Sequence, residues 1–167
     1  ILIGEMRDKE TSHIGVEASL TGHLVFSTLH TNSAPETVTR LLGLELDPMD
    51  FADALLGVLA QRLLRTLCPD CKQPYTPTPE EIDQLRHMYG QPRERFEEML
   101  ASLGQITMYK AKEGGCDRCG KSGYRGRTGI HELLVATPDM KKLIARNATI
   151  AEIRDRAIKE GMTTLMQ

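Results

Sequence analysis

The chain has 167 residues, 40% hydrophobic and 26% charged, with a formal net charge of −2, enough for one sizeable core and a satellite module. A balance so near neutrality, with no basic tail, gives no electrostatic case for nucleic acid or an anionic membrane surface. The richest apolar stretch, residues 55–60, is far shorter than the ~20 residues a membrane-spanning helix needs.

Residues 1–3, Ile-Leu-Ile, followed by Gly4, read as the end of a strand covered on both faces, so the chain is expected to be a fragment that starts inside a strand. Asp8 caps an expected helix over 9–20, and residues 24–29 form the next strand. Ser33 and Glu36 hold the paired positions of a capping box, which starts a helix running to Leu42. Asp47-Pro48 starts another, long helix, whose apolar residues Phe51, Leu55, Leu56, Leu59 and Leu63 recur at helical spacing up to Cys68. Two helices are expected from Thr78-Pro79 and over 93–103, then a returning strand over 127–135. Thr137-Pro138 caps one late helix, and Thr149 with Glu152 boxes another that ends near Glu160. The fold class is α/β, with an inserted metal subdomain and a helical tail.

The four cysteines fall in two pairs, Cys68-Pro-Asp-Cys71 and Cys116-Asp-Arg-Cys119. Two thiolates at that spacing bind one metal from a single tight turn, and two such turns complete the tetrahedron zinc prefers. Four thiolates leave no open position for water or substrate, so the zinc is structural. Its role is to staple the segment between the pairs, which is poor in large apolar side chains. Two disulfides are the alternative, although a disulfide inside CxxC closes a strained loop and the composition is not that of a small secreted scaffold.

Residues 115–122, Gly-Cys-Asp-Arg-Cys-Gly-Lys-Ser, match the GxxxxGK[ST] pattern of a phosphate-binding loop. That mechanism needs a strand before the loop and a helix after it, whereas Gly123, Tyr124, Arg125 and Gly126 follow here. The match is therefore read as a metal knuckle, with Gly120 supplying the turn. Elsewhere, Glu5 places a carboxylate directly after a strand, the position from which acidic residues of nucleotide hydrolases address magnesium and the attacking water. His30 ends the second strand, where ligands bind in open α/β sheets. His23 begins it, and its odd spacing from His30 places the two rings on opposite faces.

Taken together, GEMRD, ASLTGHLVFSTLHTN, TRLL, LLGVLAQRLLRTLCPDC and CDRCGKSGYRGRTGIHELL resemble the C-terminal part of the type II secretion and type IV pilus assembly ATPases, the GspE/PilB family. The secretion branch is the nearer match and the pilus-extension branch the second. The resemblance implies a partial RecA-like P-loop NTPase core over 1–66, carrying the Walker B segment and histidine box. It implies a tetracysteine zinc subdomain over 67–126, and a returning strand with C-terminal helices over 127–167. Glu5 maps onto the residue that polarises the attacking water, and His23 and His30 onto the histidine box, with His30 sensing the γ-phosphate. Arg7 and Arg40 match family arginines near the nucleotide, and Cys68, Cys71, Cys116 and Cys119 match the metal ligands.

The cofactors implied are structural Zn²⁺, with ATP and Mg²⁺ in the full-length protein. The partners implied are a homohexamer and the inner-membrane secretion or pilus platform proteins, at the cytoplasmic face of that membrane and without nucleic acid. The family's phosphate-binding loop and its acidic Asp box precede the Walker B segment, so these 167 residues are expected not to hydrolyse ATP alone. A stand-alone zinc module binding a protein or nucleic acid through Arg118, Lys121, Arg125 and Arg127 is the alternative.

Overall fold

The structure, a computed structural model, describes residues 1–167. The chain divides into two compact units, one of residues 1–60 with 131–165, the other of residues 61–130 with 166–167.

In the first unit, β1 (Leu2–Ile3) pairs in parallel with β2 (Phe26–Ser27), Leu2 opposite Phe26 and Ile3 opposite Ser27. Parallel strands need a crossover, supplied by α1 (Lys9–Leu20), whose N-cap Asp8 accepts the Thr11 N–H. The strands are shorter and far more open than the sequence suggests, with Leu2 81% and Phe26 60% exposed. The expectation of a strand covered on both faces is corrected: each strand of this pair has one neighbour, and nothing in the chain covers the outer face.

Helix α2 (Ala34–Leu42) starts from Ser33, whose Oγ accepts the Glu36 N–H. The box is only half built, because the Glu36 carboxylate reaches past Ser33 to the Asn32 N–H, 2.9 Å away. Helix α3 (Pro48–Ala54) starts from Asp47, which accepts the Met49 and Asp50 N–H groups.

The long helix expected toward Cys68 is corrected as well. Helix α3 stops at Ala54, and residues Gly57–Leu67 form the strand β3. A spacing of four residues is even, so Leu55, Leu59 and Leu63 satisfy a helical stripe and a strand face alike. Gly57 favours the strand: a Cβ there would lie 2.9 Å from the Leu134 carbonyl oxygen. Strand β3 pairs with β6 (Tyr124–Val135). The Ala136 N–H donates to the Leu56 carbonyl and the Cys68 N–H to the Gly123 carbonyl, so the two strands run antiparallel.

Helices α6 (Pro138–Ala145) and α7 (Ile150–Lys159) close the first unit from Thr137 and Thr149 caps, the latter a complete capping box with Glu152. Leu134 of β6, Val38 of α2, Met140 and Ile144 of α6, and Ile153 of α7 are fully buried together in one core. In the second unit, β4 (Gln73–Tyr75) pairs antiparallel with β5 (Met108–Lys110). Between them lies a helical hairpin of α4 (Pro79–Tyr89) and α5 (Arg93–Leu103), in which Phe96 is the one buried side chain and packs on Tyr89.

Candidate functional site

Because β1 and β2 are parallel and in register, the segments leaving their C-terminal ends emerge on the same edge. Past the strands, the Met6 N–H donates to the Thr28 carbonyl at 3.2 Å and Thr28 Oγ1 donates to the Gly4 carbonyl at 2.6 Å. These bonds carry Glu5 and His30, 25 positions apart in the chain, to the same place: His30 Nε2 lies 3.6 Å from Glu5 Oε2. Arg7 Nη2 approaches the same oxygen at 2.6 Å. The Arg7 hydrogen bond, with the charges of Arg7 and His30, outweighs desolvation and holds the Glu5 carboxyl below its ordinary range. Glu5 is mostly covered, with 20% of its side chain exposed, while Arg7 and His30 stand open at 75% and 87%. The edge thus presents an ionised carboxylate with two exposed cationic or imidazole groups, the equipment to orient a water and to meet an anion.

The exposed His30 ring owes its place to its loop. The Thr31 and Thr37 hydroxyls bond at 2.6 Å, and Glu36 takes the Asn32 N–H, so the first turn of α2 grips the two residues that follow His30. His23 stands elsewhere: its Nδ1 lies 3.2 Å from the Ala18 carbonyl and 3.4 Å from Thr21 Oγ1, a local arrangement at the end of α1. Arg40 sits exposed in the last turn of α2.

The cysteines form the second cluster. All four Sγ atoms lie within 4.8 Å of one another, with Cys68–Cys116 and Cys71–Cys119 at 3.9 Å and Cys116–Cys119 at 3.7 Å. A tetrahedron with zinc–sulfur bonds of about 2.3 Å has edges of about 3.8 Å, so this donor set fits Zn²⁺ in both chemistry and spacing. The cysteines are free, and sulfurs this far apart are not disulfides. Each knuckle is a tight turn, with Gly120 in the left-handed region at φ 60°. The N–H groups of Cys116 and Gly123 both donate to Cys119 Sγ at 3.2 Å. With the Cys116 N–H foremost, these bonds hold the Cys119 thiol down to about 6. Burial, followed by the neighbouring thiols, pushes Cys71 up to about 12.

Asp70, inside the first pair, receives Arg118 at 3.0 Å and Arg125 at 3.7 Å, and Lys121 pairs with Asp117 at 2.8 Å. Three of the four bases around the second pair therefore have carboxylate partners. The segment matching a phosphate-binding loop is the knuckle itself, a short 3₁₀ turn (Asp117–Cys119), and it leads into β6 rather than into a helix.

Residues 1–167 match the family model described as type II/IV secretion system protein. The chain belongs to this family. The type II secretion system ATPase E of Vibrio cholerae is 42% identical over 99% of the chain and 33% of its own length. The type II secretion system protein E of Dickeya dadantii is 48% identical over 86% of the chain and 26% of its own. The type IV pilus assembly ATPase PilB of Thermus thermophilus is 41% identical over 100% of the chain and 17% of its own. Both branches of the type II/IV secretion family are thus matched at similar identity, and the chain spans a third or less of the length of these relatives. A looser likeness, at TM-score 0.46 and 19% identity over 98% of this chain and 35% of the other, is to the X-ray structure of the Legionella pneumophila ATPase DotB, and it carries no weight of its own. No helix is long and apolar enough to cross a membrane.

Proposed function

We propose that this chain is the C-terminal part of a hexameric, RecA-like secretion ATPase, in which Glu5 polarises the attacking water and His30 reports on the terminal phosphate. The observation that carries the reading is the meeting of Glu5 and His30 at the C-terminal ends of two parallel strands, the place where open α/β sheets bind ligands. Phosphoryl transfer is mainly positioning and charge neutralisation. The ionised Glu5 accepts a proton-bearing water on its carboxylate, and Arg7, exposed beside it, exchanges its carboxylate partner for a phosphate oxygen when nucleotide is present. Arg40, exposed on α2, serves at the edge of the site, and His23, exposed at the end of α1, serves between neighbouring subunits.

The open apolar surface supports the same reading. In the first unit, Leu2 and Phe26 on one strand pair and Leu59, Leu133 and Val135 on another are each more than half exposed, as expected of strands whose further neighbours and covering layer belong to a longer chain. That longer chain supplies the phosphate-binding loop and acts in the cytoplasm at the inner membrane. There it couples ATP hydrolysis with Mg²⁺ to pseudopilus assembly and type II secretion through membrane platform proteins. Assembly of a type IV pilus is the second reading, favoured by the 41% identity to PilB across the whole chain. The four thiolates hold structural Zn²⁺, which fixes the knuckles and leaves no position for substrate.

Two measurements test the proposal. In a longer chain containing these residues and a phosphate-binding loop, Glu5→Gln lowers kcat at least about 100-fold while ATP is still bound; full turnover would refute the assignment. The 167 residues alone show no magnesium-dependent ATPase. Turnover by them that Lys121→Ala abolishes would make the knuckle a working phosphate loop and overturn the reading.

A further inference from the structure

A carboxylate is buried on the core side of β6. Glu132 is 3% exposed and flanked two residues on by the fully buried Leu134. A charge so placed is costly unless its oxygens are satisfied, and here two backbone N–H groups, neither from a cation, do so. Oε1 accepts from Ala34 at 2.7 Å, and Oε2 accepts from Leu165 at 3.2 Å. Ala34 is the first residue of α2, so the carboxylate sits at the positive end of that helix, where an anion is favoured.

The residues just before Ala34 are those that matter to the proposed site. The first turn of α2 holds Asn32 through Glu36 and Thr31 through Thr37, and the loop they belong to presents His30 to Glu5 at 3.6 Å. The His30 side chain is 87% exposed, so packing does not set its position. Only the loop does, and the loop is fixed to the start of a helix that Glu132 anchors from another strand.

We propose that Glu132 is the positioning residue of the histidine box: it fixes the N-terminus of α2, and through it the His30 loop, against Glu5. It uses the Leu165 N–H as its second anchor. The proposal rests on the Glu5–His30 reading for its importance to turnover, but the contact it explains is measured without turnover.

In the 167-residue chain, Glu5→Gln shifts the His30 ring proton signals because it removes the neighbouring charge. In the Glu132→Gln background, where one acceptor oxygen is lost, the same Glu5→Gln change shifts those signals by less than about a quarter as much, while the signals of His13 and His131 and the core methyls of Leu134 and Ile144 are unchanged. A purely structural role for Glu132 would not move this coupling in a protein that is still folded. An undiminished Glu5→Gln response in folded Glu132→Gln overturns the proposal. Should Glu132→Gln fail to fold, Glu132→Asp, which keeps the charge on a shorter stem, is read in the same way with the same two outcomes. A normal kcat for Glu5→Gln in the longer chain would defeat the catalytic reading and leave this coupling result standing, so the two failures are told apart.

Discussion

Replacing Cys119 by Ser tests the metal account where its geometry is most specific. The sulfurs already stand 3.7 to 3.9 Å apart, near the about 3.8 Å edge of a zinc–thiolate tetrahedron, so metal entry needs little rearrangement. Structural zinc sites in small peptides have apparent binding energies of roughly 10–16 kcal/mol. Shared over four thiolates, that is about 2.5–4 kcal/mol each, or two to three orders of magnitude in affinity. Cys119 also accepts two backbone N–H bonds that favour its thiolate, which a serine hydroxyl cannot replace as a ligand. Competition with a chromophoric chelator should therefore show Cys119→Ser binding zinc at least about 100-fold more weakly than the parent chain. In α4 and α5 only Phe96 is buried, so removing the metal should collapse the amide signals of residues 68–123 while those of the Leu134–Ile153 core persist. Affinity within about threefold of the parent, or a well-dispersed insert after complete demetallation, would refute the reasoning.

Ile153, fully buried in α7, should lose about 2–5 kcal/mol of stability as Ile153→Ala; a change below about 1 kcal/mol in urea unfolding would mean that the α6–α7 core is not the principal one. Thr78→Ala removes the side chain that caps α4 from Glu81 N–H and should cost about 1 kcal/mol, read as faster hydrogen exchange confined to residues 80–83. The Glu152 carboxyl, held first by Arg146 and then by Thr149, lies down near about 2. Its folded value is lowered, so its contribution is complete above the ordinary carboxylate range and is lost as pH falls toward about 2. The capped Thr149 amide signal should move over that window in the parent chain and not in Glu152→Gln; a shift centred near neutrality would contradict the arrangement.

Six of the seven helix starts were legible because they rest on local capping chemistry, whereas α5 begins at Arg93 with no side-chain cap. Asp8, Ser33, Asp47, Thr78, Thr137 and Thr149 all accept the first-turn N–H groups their sequence contexts predict. The run after Ala54 was not legible, since leucines four apart fit either period and only pairing with a distant strand decides between them. The knuckles followed from spacing alone, whereas the role of Asp70 as the acceptor of Arg118 and Arg125 needed the fold. Glu5 and His30 could each be singled out by position at a strand end, but their proximity depends on parallel register. Glu132 lies inside the segment CDRCGKSGYRGRTGIHELL that carries the resemblance, but nothing there singles it out; its one signal is an acidic residue on the same strand parity as Leu134, inside an apolar run.

The central claim is that Glu5 and His30 act on one event at the edge of one sheet, and a double-mutant cycle in the longer chain tests it most directly. If both serve the same phosphoryl-transfer event, Glu5→Gln with His30→Ala lowers kcat no more than about threefold beyond the worse single variant. Losses that multiply, as for independent sites, would contradict the account.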